Sequence, residues 1–471
     1  MKTTKISTAQ IDQDLQLLAQ RFQCVRIYSV SQGLDYVPQA ASRLGLKVLL
    51  GAWIGWVKAD NDKELTLAIK LANLYPDTVK GLVVGNEVLL RGEQTEATMQ
   101  AYLDRAKRET KAPVTYADVW EFWLKHKVLE KSVDFITVHV LPYWEDDPQS
   151  IENAIKHADY VMTKVSGTFA KPIFIGETGW PSIGRQRGES IPSQVNQAMY
   201  LREFLQMAQA KGWNYNLIEA IDQPWKRLLE GTVGGYWGLY STDLQPKFDF
   251  TGSVAERHDG WQPFYWALAG LFVFGGLAMR AAERRPGALL AMISLGALAG
   301  ASVPLQIGYL MTACRDATEW IALGGMTLAG WLALISLLLI ITRRLDTTAS
   351  SPVARAKKMM QACLLLLVLG AAITGYLLMH DGRYRDFPLE IYALPILQLS
   401  LGMWLAGIGT RTTWRVFYAL NAVATLTAFA CIGMEPNNLH ALLWGGLAIL
   451  LVFASWPKRN SEKLEENLLW Q

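Results

Sequence analysis

Two glutamates stand at the ends of apolar runs. One closes Gly81-Leu82-Val83-Val84-Gly85-Asn86-Glu87 and the other closes Lys171-Pro172-Ile173-Phe174-Ile175-Gly176-Glu177. A short apolar run between turn residues reads as a strand buried on both faces. A carboxylate where such a strand leaves the core is poorly placed for packing and well placed for chemistry. A lone glutamate at a strand end is usually a solvated or capping group. Two of them over one cavity meet the requirement for cleaving a glycosidic bond, where one protonates the leaving oxygen and the other attacks or activates water.

The elements that would position this pair alternate regularly. Ser7 is a candidate N-cap, and Ile11, Leu15, Leu18 and Phe22 then share one helical face. Strands are expected near 24–28, 47–53, 81–87, 112–118, 133–139, 171–177 and 215–220, and helices near 37–44, 60–74, 95–109, 119–128, 149–165 and 193–210. Strand-then-helix alternation implies parallel strands with crossover helices. The alternatives are a doubly wound sheet and a (β/α)8 TIM-type barrel. No glycine-rich phosphate turn follows the first strand, which weakens the former. Tyr28, Trp53, Glu87, Asp118, His139, Glu177 and Glu219 end the seven strands. In a barrel all of these ends open on one face. The barrel reading needs an eighth strand, expected upstream of Met1 together with an export segment, because Met1-Lys2-Thr3-Thr4-Lys5 begins no hydrophobic signal.

Composition divides the chain. Residues 1–255 hold 28 Lys+Arg against 29 Asp+Glu, a near-neutral balance that suits an uncharged ligand and leaves no footprint for nucleic acid. Cys24 stands alone there, so that half forms no internal disulfide. No cysteine or histidine spacing resembles a zinc site, and no dinucleotide, phosphate-loop or serine-nucleophile motif occurs, so no metal or cofactor is expected. From Trp261 to Trp456 the chain is mostly apolar. Seven segments reach spanning length, at about 262–279, 288–312, 319–342, 359–379, 388–409, 415–433 and 439–456. Alternate linkers carry thirteen basic residues against three in the others. By the positive-inside rule this puts the C-terminus in the cytoplasm and residues 1–255 outside a bacterial inner membrane, in the periplasm. The expected divisions are thus a catalytic α/β barrel over 1–255, an all-α transmembrane bundle over 256–457 and a cytoplasmic tail over 458–471. The helix cores hold no charge, which argues against an ion-coupled transporter. Gln306, Gln398 and Asn421 read as packing contacts.

Several motifs carry a family resemblance. Asn86-Glu87 and Glu177-Thr178-Gly179-Trp180-Pro181-Ser182, with Pro113 to Trp120, His139-Val140-Leu141-Pro142-Tyr143-Trp144 and Glu219 to Lys226, resemble glycoside hydrolase family 17, the β-1,3-glucanases, and above all its bacterial membrane-attached branch. The likeness covers about residues 8–250. It implies a retaining β-glycosidase barrel with Glu87 as acid/base and Glu177 as nucleophile, acting on β-1,3-glucan by hydrolysis or transfer. At retaining distance the charge of Glu177 is expected to raise the pKa of Glu87. Asn86 is suited to hydrogen-bond the sugar 2-hydroxyl, and Tyr143 to orient the nucleophile. Trp53, Trp120, Trp144, Trp180 and Trp225 lie at or just after strand ends, where rings can stack on sugar faces; for Trp53 and Trp144 packing is an equal alternative. His139 reads as a hydrogen-bonded residue beside the site rather than a general base. Asp118, Glu219, Asp222 and Lys226 are candidate hydroxyl contacts, or ion-pair partners among themselves and with Arg26. Tyr28 completes the candidate wall. Seven spans exceed what an anchor needs, so a membrane glycosyltransferase or export component is a partner this layout would serve. The rival reading is a glucan-binding scaffold without catalysis.

Overall fold

The computed structural model describes residues 4–279, 286–344, 351–405 and 415–455. The described residues fall into two compact units. The first comprises Met1–Trp180, Asn196–Asp222 and Trp237–Gly252; the second comprises Pro181–Val195, Gln223–Tyr236 and Ser253–Gln471.

The first unit is an incomplete parallel β/α barrel. Its strands are β1 (Cys24–Ile27), β2 (Lys47–Ala52), β3 (Val79–Asn86), β4 (Val114–Val119), β5 (Ile136–His139), β6 (Ile173–Thr178) and β7 (Asn214–Leu217). They pair in parallel and in chain order, β1 to β7. The helices between them are α1 (Thr8–Ala19), α2 (Val37–Arg43), α3 (Lys58–Leu74), α4 (Glu96–Glu109), α5 (Trp120–Lys125), α6 (Ile151–Ser166) and α7 (Gln194–Lys211). The expected seven-fold alternation is therefore present. The expected helix over 119–128 is split, with α5 giving way to a 3-10 helix at Lys127–Ser132.

Local chemistry accounts for these elements. The Ser7 hydroxyl accepts from the Gln10 amide at 3.1 Å, and Thr95 caps α4 in the same way. Such a cap contributes about 1 kcal/mol. Helix α6 turns Ala154, Ala158, Val161 and Val165 inward, all fully buried. The strands read as continuous apolar runs because they are covered on both faces; Val48, Leu50, Leu82, Val84, Val114 and Val138 are solvent-free. Leu49, Val83 and Ala117, from three adjacent strands, form a cluster with Phe135 and Phe174.

The second unit is helical: α9 (Gln262–Met279), α10 (Pro286–Ala313), α11 (Ala317–Arg344), α12 (Ser351–His380), α13 (Leu389–Leu405), α14 (Arg415–Met434) and α15 (Leu439–Ser455), after a four-residue helix α8 (Arg227–Glu230). All seven expected segments are helical over their described residues. Five described spans are long and apolar enough to cross a membrane; the apolar stretches Leu389–Ser400 and Leu439–Phe453 are shorter. Arg280, Arg284, Arg285, Arg411, Lys458, Arg459, Lys463 and the tail over 458–471 lie outside the described residues. Helices α9 and α10 meet at glycines. A Cβ on Gly270 would stand 2.0 Å from the Gly296 carbonyl oxygen, and one on Gly300 would stand 1.9 Å from that of Trp266. Such small-residue contacts let helix backbones approach closely. Gln398 donates to the Leu295 carbonyl at 3.0 Å, Asn421 to that of Phe417 at 3.0 Å, and Trp331 to Gln306 at 2.8 Å. The Gln398 and Gln306 bonds link neighbouring helices as expected, whereas Asn421 bonds back within its own helix.

The second unit also takes in two segments that lie between barrel elements in sequence. In 181–195, Arg185 pairs with Glu435, donates to the Arg385 carbonyl at 2.9 Å and lies over the Phe387 ring. The Gly188 amide donates to Glu435 at 3.0 Å, and Asn438 donates to the Gln186 carbonyl at 2.8 Å. In 223–236, the Thr232 hydroxyl donates to Asp386 and Arg227 donates to the Thr312 carbonyl.

Candidate active site

Glu87 leaves β3 through an unusual turn. Gly85 has φ +82°, and a Cβ there would meet Val88 at 2.8 Å and Met99 at 3.0 Å. Glu87 itself sits at φ +51°, in the left-handed region that side chains seldom adopt. Its amide is held by the Ala117 carbonyl at 2.8 Å. The β3–β4 register shifts between Val83 and Asn86, and the β5–β6 register shifts where His139 comes opposite Glu177. Such irregularities re-aim side chains. One carboxylate oxygen of Glu87, one of Glu177 and one ring nitrogen of His139 all lie within 4.8 Å of one another.

Arg26 organises this trio from β1. Its side chain is 1% exposed. One terminal nitrogen donates to the Gly176 carbonyl at 2.6 Å, and the other donates to Asn86 Oδ1 at 2.6 Å. The first also stands 3.5 Å from Glu177 Oε1 and 3.5 Å from His139 Nε2. Gly176 makes the space: a Cβ there would lie 3.0 Å from Arg26 and 3.2 Å from His139. His139 Nδ1 is 2.7 Å from Glu87 Oε1. Arg26 also covers the Tyr28 ring at 4.5 Å, and the Tyr28 phenol hydrogen-bonds Glu177.

Burial pushes the Glu87 carboxyl up. The hydrogen bond from His139, with the charges of Arg91 and Arg26, outweighs burial and holds it below the usual carboxylate value. The upward shift expected from Glu177 is therefore reversed, because positive groups crowd Glu87. Asp118 goes the other way. Burial, reinforced by the Glu87 charge, raises it to about 6 against the opposing Tyr116 bond. Burial, with the charge of Glu177, lifts the Tyr28 phenol well above its ordinary value.

Glu87, His139 and Glu177 also form a geometrically possible donor set for a cation. The Arg26 guanidinium already stands at that point, 3.5 Å from two of the three donors, and opposes a second positive charge.

The remaining candidates divide. Tyr28, Asn86, His139, Glu87 and Glu177 come together, and Glu219, itself buried, is near enough to Tyr28 to raise its phenol. Asp118 is solvent-free; one oxygen accepts from the Tyr116 hydroxyl and the other from the Val119 amide at 2.8 Å. Asp222 pairs with Lys247 at 2.9 Å, not with Lys226, and accepts from the Gly238 amide at 2.8 Å. Tyr143 and Trp180 are fully buried and pack edge to face, 6.2 Å between centroids. Trp144 stacks on Trp237 at 6.3 Å. Trp120 donates to Glu145 at 3.1 Å and is largely buried. Trp53 is 40% exposed, with Arg91 over its ring at 4.6 Å. Trp225 and Lys226 belong to the second unit, on the 3-10 helix Pro224–Lys226, where Trp225 is exposed.

Sequence reasoning offered Arg26 only as an ion-pair partner for the acidic candidates, and it did not place Arg91, Tyr116 or Lys247 in this region. A signal existed for Arg26, because an arginine inside the four-residue strand Cys24–Ile27 must find a counter-charge or stay in water.

A family profile described as the BtgE/BtgC glycoside hydrolase domain matches residues 2–238. The chain is similar to a glucan 1,3-beta-glucosidase of Candida albicans, 25% identical over 258 residues covering 50% of this chain and 84% of that protein. It is likewise similar to a glucan 1,3-beta-glucosidase of Saccharomyces cerevisiae, 26% identical and covering 51% of this chain and 85% of that one. Among solved structures, an active-site mutant of the Rhizomucor miehei beta-1,3-glucanosyltransferase in complex with laminaritriose is 27% identical, with a TM-score of 0.49, covering 54% of this chain and 95% of that one.

Proposed function

The chain belongs to the BtgE/BtgC glycoside hydrolase domain family, and from that premise we propose that it is a retaining β-1,3-glucan glycosidase or transglycosylase. Glu177 is the nucleophile and Glu87 the acid/base. The observation that carries this reading is the pair of carboxylates at the ends of β3 and β6, with oxygens within 4.8 Å. Retaining enzymes keep their carboxyl groups about 5–5.5 Å apart, whereas inverting ones leave about 6.5–9.5 Å for a water.

In the first step a Glu177 oxygen bonds to the anomeric carbon as the glycosidic C–O bond breaks, and the Glu87 proton passes to the departing oxygen. In the second, Glu87 takes a proton from water or from a sugar hydroxyl. That oxygen then bonds to the anomeric carbon and frees Glu177. Arg26 and the Tyr28 phenol stabilise and aim the nucleophile. The Asn86 carbonyl oxygen is occupied by Arg26, so its amide N–H groups are the part left to bind the sugar 2-hydroxyl. Trp53 offers an exposed ring as a stacking surface.

The long apolar helices support a multi-pass membrane protein. The alternation of basic linkers supports a periplasmic catalytic unit and a cytoplasmic C-terminus. A membrane glycosyltransferase or export component is the partner class such a tethered enzyme would serve.

The test is incubation of the full chain, in detergent, with a linear β-1,3-glucan oligosaccharide. Only shorter products mean hydrolysis, and longer or branched ones mean transfer. Glu177→Gln must abolish both. Glucan binding with no turnover by the parent chain would instead favour a scaffold role.

A further inference from the structure

His139 stands between the two glutamates with one ring nitrogen facing each. Nδ1 is 2.7 Å from Glu87 Oε1, and Nε2 is 3.5 Å from Glu177 Oε1. Its side chain is solvent-free. The charged and titratable groups around it come from four strands: Arg26 on β1, Glu87 after β3, Asp118 on β4 and Glu177 on β6.

The hydrogen-bond inventory assigns the ring. A guanidinium only donates, and Arg26 presents one of its terminal nitrogens to Nε2 at 3.5 Å. Nε2 is then the bare nitrogen and Nδ1 carries the hydrogen. Nδ1–H therefore donates to Glu87 Oε1. Glu177 Oε1 stands at the same 3.5 Å from Nε2, and both acceptors face the one Arg26 nitrogen.

This arrangement has a chemical consequence. An oxygen that accepts a short hydrogen bond is a poor site for the carboxyl proton. With Oε1 occupied, the proton of neutral Glu87 belongs on Oε2. We propose that His139 is a positioning residue that, as the neutral Nδ1–H tautomer, decides which oxygen of Glu87 delivers the proton and stabilises the carboxylate left behind. The proposal rests on the two-glutamate reading above. The proton balance is simple: Oε2–H passes to the departing glycosidic oxygen, the negative charge of Glu177 is consumed in the ester, and the new charge on Glu87 is met by Nδ1–H. The ring gains and loses no proton during the cycle.

Two readouts test this on the full chain in detergent. Nitrogen-15 NMR of labelled protein, with the His139 signals identified by their loss in His139→Asn, is expected to show a protonated Nδ1 and a bare Nε2; the opposite tautomer would overturn the proposal. Kinetics use a β-1,3-glucan oligosaccharide and a dinitrophenyl β-laminarioligosaccharide, whose leaving group needs no proton. Asparagine places its amide near the Nδ1 position and glutamine near Nε2. His139→Ala and His139→Gln should lose about 10²-fold in kcat/KM on glucan and less than about threefold on the aryl substrate, with the alkaline limb of the glucan profile moved to higher pH. His139→Asn should retain most activity and the parental limb. Equal losses on both substrates, or a glutamine variant as active as the asparagine one, would overturn the role of His139 alone. A parent chain inactive on both substrates would overturn the two-glutamate reading and this role with it.

Discussion

The barrel unit and the described helices of the second unit treat buried polarity in opposite ways. In the barrel unit, Arg26, His139 and Glu177 are buried around one point, and charge is brought into the interior. In the helical unit, the buried polar side chains of the described helices are Ser302, Gln306, Ser336, Gln398, Asn421 and Thr427, all neutral. Its ion pairs lie at helix ends and linkers, as in Arg185 with Glu435 and Arg315 with Glu319. Removing a charge from water costs several kcal/mol even after relaxation. A fold keeps such a charge where a partner is fixed nearby, as with Arg26 and Glu177 in the barrel and with Glu64 of α3, which accepts from the Ser29 hydroxyl and the Val30 amide. Among the described residues, the barrel gathers charge at the proposed site, and the buried polar groups of the membrane-type helices serve packing.

The largest expected effect comes from breaking the charge cluster. Arg26→Ala leaves Glu177 and Asn86 without their shared partner. It should destabilise the barrel unit by about 3–5 kcal/mol, read as a fall in its thermal midpoint, and reduce glucan turnover by orders of magnitude. An unchanged midpoint would show that the buried charge is not held as described.

Arg91→Gln tests the field at lower amplitude. Glu87 must be protonated to act as an acid, so kcat/KM falls as pH rises through its pKa. Arg91 helps to hold that value down. Its loss should shift the alkaline limb to higher pH; a shift to lower pH, or none, contradicts the assignment of that limb to Glu87.

The helical unit should respond differently. Gln398→Leu removes the bond to the Leu295 carbonyl. The expected loss is below about 2 kcal/mol, with kcat/KM on glucan unchanged. A large loss of activity would erase the contrast between the units.

Asp118→Asn should be visible mainly in pH dependence. The folded state raises this carboxyl from 3.8 to about 6. Folded protein therefore binds the proton more tightly, and the contribution of Asp118 to stability is lost as pH rises from about 4 to about 6. Relative to the parent, the asparagine variant should gain stability across that window in thermal unfolding. A difference that is flat, or falls, would contradict the shift.

Much of this was legible in the chain because buried parallel strands are written as unbroken apolar runs. Glu87 and Glu177 stood out for ending such runs, and the Ser7 cap was readable from local chemistry alone. The left-handed turn at Glu87 was not, since nothing in Gly85-Asn86-Glu87 states which residue adopts it. Long-range pairing was also hidden. Lys226 lies closer to Asp222 in sequence, yet Lys247 is its partner, because the chain returns past Gly238. The inclusion of 181–195 and 223–236 in the helical unit depends on contacts such as Arg185 with Glu435, 250 residues apart. The direction of the Glu87 shift was hidden because the negative neighbour Glu177 is legible in the sequence, whereas the Arg26 and Arg91 charges and the His139 hydrogen bond reach Glu87 only through the fold.

In the proposed mechanism Glu177 attacks the anomeric carbon while Glu87 protonates the leaving oxygen. Proton NMR of the first product released from a β-1,3-glucan oligosaccharide, recorded before mutarotation, tests it most directly. Double displacement predicts that the new reducing end or transfer linkage appears as the β-anomer. An α-anomer as the first product would mean single displacement by water and would contradict the assignment of Glu177 as nucleophile.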